Sequence, residues 1–106
     1  MADFSLNDLA GLIAARAKSA PALSYTRSLL DGGAKRAARK FGEESVELII
    51  AALGSDRRAA TEEAADVLFH FLVLLQSIDL PLENVMAELR SRTRQSGHQE
   101  KAARKE

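Results

Sequence analysis

Between Pro21 and Pro81 the chain contains no proline, and this stretch reads as two long helices with one break between them. From Ala34 to Leu53, and again from Arg57 to about Ile78, apolar residues return every three or four positions. Gly54 supplies a C-terminal stop between them, and Asp56 an N-cap for the second run. Each helix is about 30 Å long, and so short a connection folds the second back along the first. No segment alternates with a period of two, so the expected fold class is all-α, an antiparallel helical bundle.

Three shorter helices complete the reading. Leu6, Leu9, Ala10, Ile13, Ala14 and Ala17 share helical spacing up to about Lys18, and Ser5 with Asp8 forms a capping box. After the interruption "SAPAL" a short amphipathic piece runs from Ser24 or Tyr25 to Leu30, closed by Gly32 and Gly33. The last helix starts at Leu82 and reaches about Arg94, with Val85, Met86 and Leu89 on one side. Residues 1–94 are expected to form a single domain, and 95–106, without a large apolar residue, a frayed tail.

Composition excludes several function classes. The chain has no cysteine and two histidines, His70 and His98. Thiolate zinc sites and disulfides are therefore absent, and any metal would be a hard cation held by oxygen. A formal net charge of zero gives no electrostatic footprint for nucleic acid or an acidic membrane. The apolar run from Val67 to Leu75 is too short to span a bilayer, which takes about 20 residues. With no secretion signal at the N-terminus, a cytoplasmic protein is expected. The same run is apolar around the whole helix, which must therefore be enclosed. With so few helices, a second subunit is the expected cover, and Leu72 is expected to face it in a homodimer or larger assembly.

The residues with the most chemistry are acids. In "KFGEESVELII" (40–50), Glu43 and Glu47 lie about 40° apart around the helix and Glu44 and Glu47 about 60° apart. These acids border the apolar stripe through Val46 and Ile50. In "EEAADVLFH" (62–70), Glu63, Asp66, Val67, His70 and Leu74 share one face. Two i, i+3 acid pairs thus sit on adjacent helices, Glu44 with Glu47 and Glu63 with Asp66, and Glu47 and Glu63 stand at equal distances from the turn. Taken alone, "EESVE" reads as a solvated helix face. Two matched sets beside an apolar stripe read better as a metal site. Desolvation and mutual repulsion would otherwise raise the carboxyl pKa values, and Mg²⁺ or Mn²⁺ relieves this with oxygen ligands.

Upstream, "GGAKRAARK" places Lys35, Arg36, Arg39 and Lys40 within six residues. They read equally as i, i+4 partners of the glutamates or as a phosphate site at a helix start. Lys35 and Lys40 are the preferred phosphate ligands. His70 reads as a core or interface histidine that could also touch a ligand. Tyr25 and Thr26 either reach a substrate or serve in capping and packing.

Three stretches, "SYTRSLLDGGAKRAARKFGEESVEL", "EEAADVLFHFLVLL" and "LPLENVMAELRSR", together resemble the phosphoribosyl-ATP pyrophosphatase family of histidine biosynthesis. That family lies within the MazG-like all-α nucleoside triphosphate pyrophosphohydrolases, marked by E-E-x-x-E followed by E-x-x-D, here Glu43, Glu44, Glu47, Glu63 and Asp66. The resemblance implies Mg²⁺-dependent hydrolysis of phosphoribosyl-ATP to phosphoribosyl-AMP and pyrophosphate by a dimer. Glu44, Glu47, Glu63 and Asp66 would hold the metal, and Glu43 would be a further ligand or orient the attacking water. Lys35 and Lys40 would bind phosphate, with Arg36, Tyr25, Thr26 and His70 as further substrate contacts. Two readings compete: a MazG-like pyrophosphohydrolase acting on ordinary nucleotides through the same site, and a non-catalytic helical interaction module.

Overall fold

Local side-chain chemistry sets where the helices begin. The computed structural model describes residues 3–20 and 24–94. Within them run α1 (Leu6–Arg16), α2 (Tyr25–Asp31), α3 (Gly33–Ala52), α4 (Arg57–Ser77) and α5 (Leu82–Arg92), with no strand among the described residues. The expected tail, 95–106, lies outside them. At α1 the capping box is complete: Ser5 Oγ accepts from Asp8 N at 3.0 Å and Asp8 Oδ2 from Ser5 N at 3.1 Å. Ser24 caps α2 through Arg27 N, and Asp56 Oδ1 caps α4 by accepting from Arg58 N and Ala59 N. Each bond satisfies an amide that a helix start otherwise leaves open.

The helix ends show where backbone conformation matters. Between α2 and α3 the chain turns through Gly33, whose φ of +79° is left-handed and suits a residue without Cβ. Gly54, read as the stop of α3, does not take a positive φ, and the C-cap is Leu53. The end of α4 is the more demanding one. Leu80 N donates to Leu75 O and Asp79 N to Gln76 O, the bond pair of a Schellman closure, and Asp79 takes the left-handed position at φ 55°. Aspartate tolerates this region better than most residues other than glycine.

Helices α3 and α4 make the most extensive packing in the chain, while α1 and α2 lie against α4 and α2 also touches α3. Phe41 meets Phe71 with ring centroids 6.1 Å apart, so positions early in α3 face positions late in α4 and the pair is antiparallel. On α3 the residues turned inward are Ala37, Phe41, Glu44, Leu48 and Ala51. They recur at alternating steps of four and three, the stripe of a helix packed along a neighbour. The core collects Ile13, Leu29, Ala37, Leu72, Val73, Leu75 and Leu82. Among the described residues no single helix is long and apolar enough to cross a membrane.

Two expectations about the apolar faces change. Leu72 is only 3% exposed within this one chain, so it belongs to the chain's own core and not to a subunit contact, because α1 and α2 cover that side of α4. Conversely Val46 and Ile50, read as part of the apolar stripe beside the acids, are exposed together with Ile49 and Leu53, Leu53 by 85%. Their i, i+3, i+4, i+7 spacing makes them one band on α3 turned away from the core, and Leu68 on α4 is exposed as well.

Leu72→Glu places a carboxylate among Leu29, Val73 and their neighbours, a burial costing several kcal/mol, against a total stability of about 5–15 kcal/mol for a domain. The expected result is loss of the helical circular-dichroism signal at any protein concentration. A folded, fully helical Leu72→Glu monomer would return this residue to the interface.

Candidate metal centre

The inward stripe of α3 has a glutamate where a leucine would be ordinary. Glu44 follows Phe41 and precedes Leu48 on that stripe, and its side chain is 15% exposed. Across the seam, Glu63 occupies the corresponding inward position on α4, between Ala60 and Val67, with Asp66 one turn further on at the more exposed edge. One carboxylate oxygen from each of Glu44, Glu63 and Asp66 falls within 4.8 Å of the others. Glu47, one turn after Glu44 and exposed, acts on the carboxyls of both Glu44 and Glu63.

The electrostatics follow from this crowding. The Glu44 carboxyl is pushed above its ordinary 4.5, first by desolvation, then by Glu47 and by the charge of Asp66, while Lys40 pulls it back. Glu63 is also raised, by desolvation first and then by the charges of Glu47 and Asp66. One oxygen of Glu63, Oε2, is buried with no hydrogen-bond partner. A buried, charged oxygen without a donor is costly. The protein's nearest remedy is Lys40, whose Nζ stands 4.0 Å from Glu44 and 3.4 Å from Glu43, so it neutralises the edge of the group and leaves Glu63 unmet.

The donor set fits a hard divalent cation. Every offered atom is a carboxylate oxygen, the choice of Mg²⁺, Mn²⁺ or Ca²⁺ over softer metals. Oxygens on opposite sides of Mg²⁺, each at about 2.1 Å, are about 4.2 Å apart, a span the three carboxylates enclose. The unmet Glu63 oxygen is the atom such a cation would satisfy.

The other candidate residues lie around this cluster. Glu43 lies outside the cluster, 56% exposed and paired with Lys40. Lys35 and Arg36 are exposed in the first turns of α3, and Arg36 Nη1 donates to Ser28 O at 3.3 Å, tying it to α2. Thr26 is buried, 2% exposed. His70 is buried in the same seam as the acids, its Nδ1 sealed without a partner. Its basicity is lowered by burial and then by Lys40, against a smaller opposing effect of Asp66. Tyr25 is exposed and lies over Phe69. Sequence reasoning missed how Phe69 joins Tyr25 and His70; its only signal there was an aromatic next to a histidine inside an apolar run.

A carboxyl whose folded pKa is raised adds stability that is complete below the unfolded value and lost as pH rises through the folded one. In the absence of divalent ions, Glu63→Gln is therefore expected to equal the parent near pH 4.5 and to melt higher than it at pH 7.5. Millimolar Mg²⁺ or Mn²⁺ should reverse that order at pH 7.5 by raising the parent's Tm alone. Equal melting curves for the two proteins throughout, with and without cation, would remove the cluster from the list of ion sites.

Comparison with known proteins covers the stretch that contains these residues. A sequence model of the family described as phosphoribosyl-ATP pyrophosphohydrolase matches residues 6–93. The phosphoribosyl-ATP pyrophosphatase of Rhizobium johnstonii is 53% identical over 104 residues, spanning 98% of this chain and 97% of its own. That of Sinorhizobium medicae is 50% identical over the same shares. Phosphoribosyl-ATP pyrophosphatase 1 of Bradyrhizobium diazoefficiens is 53% identical over 106 residues, 100% of both chains.

Proposed function

We propose, from the premise that this chain belongs to the phosphoribosyl-ATP pyrophosphohydrolase family, that it hydrolyses phosphoribosyl-ATP to phosphoribosyl-AMP and pyrophosphate, the second step of histidine biosynthesis. The observation that carries the reading is the convergence of Glu44, Glu63 and Asp66 from two helices to within 4.8 Å, with a sealed Glu63 oxygen lacking a partner. A non-catalytic module would have no use for that arrangement, which is expensive to keep.

In this reading Glu44, Glu63 and Asp66 hold Mg²⁺, which Mn²⁺ can replace, and Glu47 completes the set. The bound cation supplies charge neutralisation for the phosphate oxygens and Lewis acidity toward the attacking water. Glu47, exposed like Asp66, would take the proton that the water gives up. Glu43 holds Lys40 at the rim, from where Lys40 offers its ammonium to a phosphate. Lys35 and Arg36 line the approach along the start of α3. The water oxygen bonds to one phosphorus of the α–β bridge, the bridging oxygen leaves with the other phosphoryl group, and no covalent enzyme intermediate is needed.

Glu47→Gln and Asp66→Asn are expected to lower turnover of phosphoribosyl-ATP by at least about a hundredfold, with helical content unchanged. The parent protein with Mg²⁺ should turn over phosphoribosyl-ATP faster than any ordinary dNTP. Full activity in both variants would remove these two carboxylates from the catalytic machinery, absence of turnover in the parent would leave the interaction module, and preference for a dNTP would assign the site to nucleotide housekeeping.

The exposed band of Val46, Ile49, Ile50 and Leu53 supports a homodimer as the working unit. One helix face carrying four large apolar residues is the kind of surface a self-complementary contact removes from water. Ile50→Glu is expected to yield a folded protein of monomer mass in sedimentation equilibrium at concentrations where the parent is a dimer. A parent that sediments as a monomer would refute this assignment.

A further inference from the structure

The seam between α3 and α4 continues past the acids into an aromatic group. From Asp66 to His70 is one helical turn, about 6 Å of rise, and the charges of Asp66 and Lys40 both act on His70. His70 stands edge-on to Phe69, with centroids 5.1 Å apart and planes at 80°, and edge-on to Tyr25 at 6.5 Å and 88°. Tyr25 lies nearly parallel to Phe69, at 6.2 Å and 15°. Three rings thus fix one another: Phe69 backs the Tyr25 ring and buried His70 wedges its side.

The group is asymmetric in exposure. His70 is buried and Phe69 half-buried, whereas Tyr25, the chain's one tyrosine, remains 59% exposed. A ring with one face laid on a neighbour and most of its area open offers its outer face to solvent. Along the seam the order is therefore carboxylates, then the Lys40 ammonium, then an open aromatic face. A purine nucleotide has the same order of parts: an anhydride needing cations, a phosphate, and a flat base with a π face. Stacking of a base on an aromatic side chain is among the stronger sequence-independent contacts to nucleotides.

On these grounds we propose that the outer face of the Tyr25 ring is the platform on which the purine base of the nucleotide stacks, making Tyr25 a specificity-determining residue of the site. The proposal rests on the hydrolase reading above and adds to it the place of the base. His70 and Phe69 act through Tyr25 as positioning residues that hold its ring in place. The competing explanation is that Tyr25 only shields Phe69 from water, a role any large apolar side chain fills.

Steady-state kinetics on the full-length protein separate the two. Tyr25→Ala and Tyr25→Leu are expected to raise KM for phosphoribosyl-ATP roughly tenfold to a hundredfold, the range expected for one lost stacking contact, with kcat within about threefold. Tyr25→Phe should restore KM to within about threefold. Leucine still covers Phe69 but offers no flat face, so a Tyr25→Leu protein with parental KM would overturn the proposal in favour of shielding, as would a fall in kcat at unchanged KM. A second measurement does not depend on the reaction. By titration calorimetry with Mg²⁺, adenosine 5′-monophosphate should bind the parent at least about tenfold tighter than ribose 5-phosphate does, and Tyr25→Leu should erase that preference. Equal affinities in the parent would overturn the platform even if phosphoribosyl-ATP is hydrolysed. A parent that binds the nucleotide selectively but hydrolyses no phosphoribosyl-ATP would overturn the hydrolase reading alone.

Discussion

The structure depends on a contact that electrostatics opposes: carboxylates of α3 and α4 facing each other in the seam where the two longest helices pack. Glu44 and Glu63 occupy positions that the inward stripe would fill with apolar side chains, and both have their pKa raised by desolvation. Two helices free to slide would separate such groups. They are prevented by apolar packing on either side of the acids, with Phe41 against Phe71 beyond them and Leu48, Ala51 and Ala60 toward the turn. The apolar contacts set the register, and the register brings the acids together.

Helix α4 serves two neighbourhoods at once. One face meets α3 with Glu63, Val67 and His70; the other is buried through Leu72, Val73 and Leu75 against α1 and α2, where Ile13 and Leu29 complete the core. This division places the acids on a helix clamped from behind, so their positions are held by rigid elements instead of loops. It also leaves the outer face of α3 without a neighbour in its own chain. The band from Val46 to Leu53 adjoins the acidic face, so whatever covers that band also borders the mouth of the site.

Much of this was legible in the sequence because its causes are local. The capping box of Ser5 and Asp8, the cap at Asp56 and the five helices follow from side chains a few residues apart, and the helix bounds differ from expectation by about two residues or fewer. That acids of the two long helices meet was legible too, since a short turn and helical spacing are enough to set two helices in register, but the three that come together are Glu44, Glu63 and Asp66, with Glu44 where Glu47 was expected opposite Glu63. What covers each apolar face was not. Periodicity shows that Leu72 and Val46 each sit in a stripe, but only the path of α1 and α2 decides that the first is inside the chain and the second outside. The orientation of Lys40 was likewise open, because a flexible lysine reaches either Glu43 or Glu44 and the structure has it near both. Asp79 conceals a left-handed turn for the opposite reason: the sequence has an aspartate where glycine usually marks such a bend.

Among the described residues the buried side-chain polar atoms left unmet are not scattered. The helix starts with a side-chain cap, at Ser5, Ser24 and Asp56, have their first amides bonded, and the α4 end is closed by its own backbone. Among the described residues the buried side-chain atoms without partners are Glu63 Oε2 and His70 Nδ1. They stand seven residues apart on α4, two turns along the same face, and Asp66 lies between them near the rim. Two such atoms on one line of α4 point to a shared cause there and not to a failure to pack. Replacing Glu63 and His70 by leucines would stabilise the seam by ordinary hydrophobic burial, so retaining them weakens the chain alone and is compensated only by something that arrives from outside. The acidic end of that line asks for a cation, and the aromatic end, with its exposed tyrosine, asks for a flat ring. Those two demands, met by one molecule, describe a nucleotide more closely than either does by itself.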